Sequence, residues 1–112
     1  QYPNRMWAQG RLVTGPDGKQ TEYYGWELIH DSWYAFNSDG YAVEGVIFDP
    51  AYNGYFYIDI NTGMRVGWHL IDGEWYYFNP VSDGRKGIMY TDTWADGRYI
   101  GSDGVWREEN RL

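Results

Sequence analysis

The sequence has no cysteine, which excludes a disulfide framework, a thiolate metal site and a cysteine nucleophile, and leaves the redox compartment undetermined. Serine is scarce: Ser32, Ser38, Ser82 and Ser102 are all there are, and none sits in a Gly-x-Ser-x-Gly nucleophile turn. No glycine-rich loop that could cradle a phosphate leads into a helix pattern. The two histidines, His30 and His69, are not at metal-ligand spacing, and no Asp-x-Asp-x-Asp-Gly ladder marks a calcium loop. Nothing in the spacing of the sixteen acids singles out a catalytic pair across a cleft. The expectation is therefore a protein that is not an enzyme and has no cofactor and no metal.

Positive charge is also short. Nine Lys and Arg against sixteen Asp and Glu give a formal net charge of -7 and a pI near 4.6. A field of that sign repels nucleic acid and anionic lipid, and favours a neutral or cationic partner. No apolar run approaches the ~20 residues of a membrane helix, so no membrane insertion is expected. The opening Gln1-Tyr2-Pro3-Asn4-Arg5 has no signal-peptide apolar core, as expected of a mature or trimmed form, or of a piece of something longer.

What the chain has instead is rings. Aromatics make up 21% of its 112 residues, with seven Trp, twelve Tyr and four Phe, while hydrophobic residues of all kinds reach 43%. The rings recur in a pattern. Gly25-Trp26-x-Leu28-Ile29-xxx-Trp33-Tyr34-x-Phe36-Asn37 returns as Gly67-Trp68-x-Leu70-Ile71-xxx-Trp75-Tyr76-x-Phe78-Asn79. A weaker copy lies between them, with Gly45-Val46 for Gly-Trp and Tyr55-Phe56-Tyr57-Ile58-Asp59 for the Trp-Tyr-x-Phe-Asn run. A fourth reads Gly87-Ile88 and then Gly97-Arg98-Tyr99-Ile100-Gly101-Ser102-Asp103-Gly104, aligned with Trp33 to Gly40. The unit is about twenty-one residues, a period that belongs to repeat architectures.

Short apolar and aromatic stretches are punctuated by Asp-Gly at 17–18, 39–40, 72–73, 83–84, 96–97 and 103–104, and by Asn53-Gly54. These dipeptides accept the positive φ angles of two-residue type I′ turns, so each is expected to close a hairpin. No stretch carries a 3.6-residue apolar period, so helix should be nearly absent. A lone hairpin is marginal in water and must lean on its neighbours. The expected fold is all-β, a solenoid of about four to five stacked hairpins. Residues 1–24, with Trp7, Leu12-Val13 and Tyr23-Tyr24, form a divergent first hairpin or cap. Repeats follow at 25–44, 45–66, 67–86 and 87–106, then a charged tail at 107–112. Insertions near 48–52 and 90–95 make long and short units alternate.

These residues resemble the choline-binding or cell-wall-binding repeat of Gram-positive surface proteins and autolysins, over about residues 25–104. The best match is Gly67-Trp68-His69-Leu70-Ile71-Asp72-Gly73-Glu74-Trp75-Tyr76-Tyr77-Phe78-Asn79. Related repeats occur in glucan-binding regions of extracellular glucosyltransferases and in receptor-binding regions of large clostridial toxins. The resemblance implies a secreted, non-catalytic module of the bacterial cell surface. Its partner would be choline-substituted teichoic acid or a cell-wall or glucan polysaccharide. It further implies cages between successive hairpins, one from Trp26, Trp33 and Tyr57 and one from Trp68, Trp75 and Tyr99, with Met64 and Met89 as lids.

A quaternary ammonium donates no hydrogen bond, so ring faces must hold it, each contributing ~0.5–2 kcal/mol. Three faces give roughly millimolar binding, which a tandem array strengthens by engaging several sites on one polymer. The same platforms can stack on sugar rings, with Asp72, Glu74 and Asn79 bonding hydroxyls. For Tyr34, Phe36, Phe56, Ile58, Tyr76 and Phe78 packing between hairpins is the expected role. The alternatives are a structural or dimerisation repeat whose clefts its own side chains or a second copy fill, and a host-glycan-binding repeat as in toxins.

Overall fold

The computed structural model describes residues 9–107, and among them there is no helix. Trp7 of the expected cap and residues 108–112 of the expected tail lie outside the described residues. The chain divides between Arg65 and Val66 into two compact units.

In the first unit β1 (Arg11–Thr14) pairs with β2 (Gln20–Tyr23) and β3 (Gly25–Ile29) with β4 (Ser32–Phe36), while β5 (Gly45–Asp49), β6 (Gly54–Asp59) and β7 (Gly63–Met64) make a three-stranded sheet. The second unit holds β8 (Gly67–Ile71), β9 (Glu74–Phe78), β10 (Thr93–Ala95), β11 (Arg98–Ile100) and β12 (Val105–Trp106) in one sheet of order β10-β11-β12-β9-β8. Every pairing is antiparallel. The all-β, hairpin-by-hairpin fold that the period demands is present: five hairpins, and no closed barrel among the described residues.

Register shows what one repeat is. Trp26 lies opposite Ala35, Val46 opposite Tyr57, Trp68 opposite Tyr77 and Trp94 opposite Tyr99. A short third segment then returns to the second strand, with Phe36 opposite Ala42, Ile58 opposite Met64, Phe78 opposite Met89 and Ile100 opposite Trp106. In three copies its amide hydrogen bonds recur: Val43 N–H to the Ala35 carbonyl at 2.9 Å, Arg65 to Tyr57 at 2.8 Å and Tyr90 to Tyr77 at 2.8 Å. The repeat is thus a hairpin plus a returning strand.

This corrects the start of the last copy. Gly87-Ile88, read from sequence as its Gly-Trp position, belongs to the returning segment of the copy before, where Asn79 N–H donates to the Ile88 carbonyl at 3.0 Å. The place of Trp26 and Trp68 is held by Trp94. The cause is an enlarged loop after Phe78: Asn79 anchors it, its Oδ1 accepting Val81 N–H and its Nδ2 donating to Asp83 and to the Arg85 carbonyl. With its amide and carbonyl committed in this way Asn79 is buried, a turn residue and no partner for a sugar hydroxyl.

The Asp-Gly turns also divide. Only Asp72-Gly73 and Asp96-Gly97 have positive φ at both residues, the signature of the two-residue type I′ hairpin. His30-Asp31 fills the same place between β3 and β4 with φ of 50° and 67° and no glycine. At 17–18, 39–40, 83–84 and 103–104 the glycine alone is left-handed, and the bonds from Gly18, Gly40 and Gly104 to carbonyls three residues back mark type I turns followed by a left-handed residue.

The strand ends supply the core. Phe36, Ile58, Phe78 and Ile100, at one register position, are fully buried, and burying each stabilises by about 1.5–3 kcal/mol. In the first unit Tyr34, Phe36 and Ala42 cluster with Ile29 and Ile60. Trp33 and Trp75 remain 41% and 40% exposed. The core therefore holds the hairpins by alternate residues and leaves indoles outward.

Candidate aromatic clefts

In the second unit Trp68, Trp75, Arg98 and Trp106 line an open cavity of about 290 Å³. The fold sets each in place. Trp68 is on β8 and Trp75 begins the outward phase of β9, while β12 inserts between β9 and β11, putting Trp106 directly opposite Trp75. Trp106 meets Trp68 edge-on with centroids 6.2 Å apart, and Tyr77 backs Trp68 from across the hairpin at 4.9 Å. Arg98, on β11, carries its guanidinium 5.7 Å from the Trp68 ring centre and 5.2 Å from that of Trp106. At such separations a cation is attracted by the negative ring face.

Polar groups fix the indole. Trp68 Nε1 donates to Asp96 Oδ2 at 2.8 Å, in the turn of the following hairpin. The Tyr77 hydroxyl is pushed above its ordinary pKa, first by burial and then by the nearby Asp96 carboxylate. His69 stays structural, its Nε2 at 2.9 Å from the Val66 carbonyl and its ring against Phe78.

The first unit repeats the arrangement with different chemistry. Trp26 Nε1 donates to Asp49 Oδ2 at 2.7 Å, again on the following hairpin, and Asp49 Oδ1 accepts the Ala51 amide at 3.0 Å. The residue in Arg98's register position is Phe56, whose ring lies 4.8 Å from Trp26. In place of Trp106 stands Met64, opposite Ile58. Its neighbour Gly63 lies hard against Ser32 and the Trp33 carbonyl, leaving no room for a side chain.

Of the residues expected in cages, Trp68 and Trp75 line one cavity. In both units the next hairpin contributes the residue before the one expected: Phe56 meets Trp26, and Arg98 meets Trp68. Because strand side chains alternate, one step along the chain turns a residue to the other face. Tyr99 packs instead on Trp94, 5.3 Å away, and Tyr57 is half-buried opposite Val46. Met89 lies beneath Gly104, away from the lining of the cavity. Trp33 is exposed and Met64 half-buried.

Trp106 and Arg98 were missed by the sequence reading. The alignment of Gly97–Gly104 with Trp33–Gly40, carried two residues further, sets Trp106 on Ala42 and places an indole at the returning strand. The same alignment sets Arg98 against Tyr34, a cation where the other copies have a ring.

The cell wall binding repeat of the choline-binding family matches residues 25–42 and 66–80. Among solved structures, the chain is similar to the choline binding domain of Spr1274 from Streptococcus pneumoniae, at 27% identity over 74% of this chain and 93% of that one, with a TM-score of 0.62. It is similar in fold to choline binding protein F from the same organism, determined in the presence of a peptidoglycan analogue (23% identity, 93% of this chain, 41% of that one, TM-score 0.62). Alternansucrase in complex with isomaltononaose shares the fold at 18% identity, over 91% of this chain and 8% of that one, with a TM-score of 0.59. No curated protein matches the sequence.

Proposed function

We propose, from the premise that this chain carries repeats of the choline-binding, cell-wall-binding family, that it is a non-catalytic module that retains itself, or a domain joined to it, on a bacterial cell-wall polymer. The observation that carries this reading is the cleft of Trp68, Trp75 and Trp106: three indoles around an open cavity, one of them 40% exposed although the core has buried rings to spare. Exposed indole costs solvation that packing does not recover, and flat apolar faces with polar rims suit a methylated ammonium or the C–H face of a sugar. In the first unit Trp26, Trp33 and Met64 are the corresponding candidates.

Each cleft alone is weak, on the order of millimolar, and retention comes from both units engaging one chain of polymer. The place of action is the outer surface of the cell. Co-sedimentation with purified walls, with and without their choline substituents, tests the reading. Retention on walls that falls by about tenfold or more in Trp75→Ala, with the fold intact by circular dichroism, is the expected result. Equal retention by wild type and Trp75→Ala on every wall would rule out the cleft and return these rings to a purely structural or dimerising role.

A further inference from the structure

At one register position the four copies carry Tyr34, Phe56, Tyr76 and Arg98. Three are rings, buried or half-buried, and the fourth is an exposed guanidinium. In the first unit the ring of Phe56 closes on Trp26. In the second the same place delivers positive charge onto the faces of Trp68 and Trp106. Those are two of the three indoles that a quaternary ammonium in this cavity could use. The cleft thus holds a cation of its own, covalently tethered, and a second cation meets both an occupied surface and like charge.

Arg98 has donors to offer. Among the described residues it enters no ion pair, and its one hydrogen bond is a long 3.5 Å contact from Nη1 to the Asp96 carbonyl, with the Asp96 carboxylate already accepting from Trp68. The guanidinium carbon sits 5.7 and 5.2 Å from the two ring centres and Arg98 lines the cavity, so the N–H groups that these ring contacts do not engage can meet a carboxylate, which a guanidinium fork suits. Trp75 and Trp106 supply the apolar walls against which a sugar ring can lie.

We infer that the second unit's cleft selects a carboxylate-bearing sugar residue over a quaternary ammonium, with Arg98 as the residue that determines this choice. The inference rests on the polymer-binding reading above and names the chemistry of one of its sites. The acid can be carried on the ring, as in a uronate, or on an ether arm, and the requirement on Arg98 is the same.

The test follows the indole N–H resonances of Trp68, Trp75 and Trp106 in the full chain during titration with choline, glucose, glucuronate and N-acetylmuramate, for wild type, Arg98→Gln and Arg98→Lys. In wild type one or both acids should shift these resonances with an affinity at least about tenfold above glucose, whereas choline should not shift them; which acid does so identifies how the carboxylate is carried. Arg98→Gln should bring acids and glucose within about twofold of each other and let choline shift the same resonances. Arg98→Lys should keep choline out but lose most of the preference for acids, because an ammonium lacks the planar fork. Choline shifting the three resonances equally in wild type and Arg98→Gln, or acids indistinguishable from glucose in wild type, would overturn the inference. So would silence to all four probes; retention on cell walls in that case would leave the general reading standing, and loss of both would remove it too.

Discussion

The indole of Trp26 is tethered by its Nε1 to Oδ2 of Asp49, 2.7 Å away, and that aspartate is wholly enclosed. Trp68 and Asp96 make the same link at 2.8 Å, but in an exposed setting. Each tether runs from one hairpin to the next, so the most repetitive residue of the motif is fixed by an acid outside its own hairpin. The indole N–H is thereby occupied, and only ring faces are available to a ligand.

Environment should separate the two tethers. Trp26→Phe leaves a buried carboxylate oxygen without its donor and should cost about 1–3 kcal/mol. Trp68→Phe, where water can replace the donor at Asp96, should cost under about 1 kcal/mol from this bond. Urea denaturation of both variants measures the difference, and equal losses would show that the burial of Asp49 is not what sets the cost.

Inward and outward positions on β9 should respond oppositely. Trp75→Ala removes an exposed ring and should change stability by less than about 1 kcal/mol while weakening polymer retention. Phe78→Ala empties a fully buried site and should cost about 3–5 kcal/mol. Denaturant midpoints and wall co-sedimentation on the same preparations check both, and the reverse ordering would invert the two faces.

Alkaline pH should destabilise the fold through two tyrosines. Burial, followed by neighbouring carboxylates, raises Tyr24 and Tyr77 above the ordinary value of 10.0. Between that value and the folded one the unfolded chain has released protons the folded chain still holds, so stability falls as pH rises past about 10. Melting temperatures measured from about pH 8 to about pH 11 should drop, and the double variant Tyr24→Phe, Tyr77→Phe should flatten the drop. An equally steep fall in the double variant would point to other groups.

Acid should act through Asp59 and Asp103. The amides of Asn61 and Thr62 hold the Asp59 carboxylate below the usual 3.8. Arg107, at 2.8 Å, does the same for Asp103. Lowered carboxylate values contribute stability that is fully present above the unfolded value and is lost as pH falls through the folded one. Asp59→Asn and Asp103→Asn should therefore be less stable than wild type near neutrality and match it below about pH 2. Both groups are exposed, so each difference should shrink in high salt or prove small. A gap that persists undiminished in strong acid would mean that charge is not its origin.

Much of the fold was legible because its determinants are local. Gly-Trp starts, Trp-Tyr-x-Phe runs and glycine turns each operate within one hairpin, and the burial of Phe36 and Phe78 follows from alternation on a strand. Glycine at these starts has two causes: at Gly25 a β-carbon would stand 2.7 to 2.9 Å from backbone atoms of Gln9, whereas Gly45 and Gly67 have φ of 89° and 81°. The clefts were less legible because their partners come from the next hairpin across loops of unequal length. Trp26 finds its acceptor 23 residues on, Trp68 finds its own 28 residues on, and no fixed spacing announces either. The loop anchored by Asn79 displaced the last hairpin to Trp94, which concealed the role of Gly87-Ile88. Arg98 stood in a position that three rings had marked as aromatic.

The insertion of Val105–Trp106 between β9 and β11 has a further consequence. One ladder of amides runs through both hairpins of the second unit, whereas β1–β2, β3–β4 and β5–β6–β7 are separate ladders in the first. Opening the second unit means breaking that shared seam, so its amides should exchange with deuterium as one block, while those of the first unit exchange hairpin by hairpin. The tryptophan that walls the cleft is also the stitch that joins its two sides.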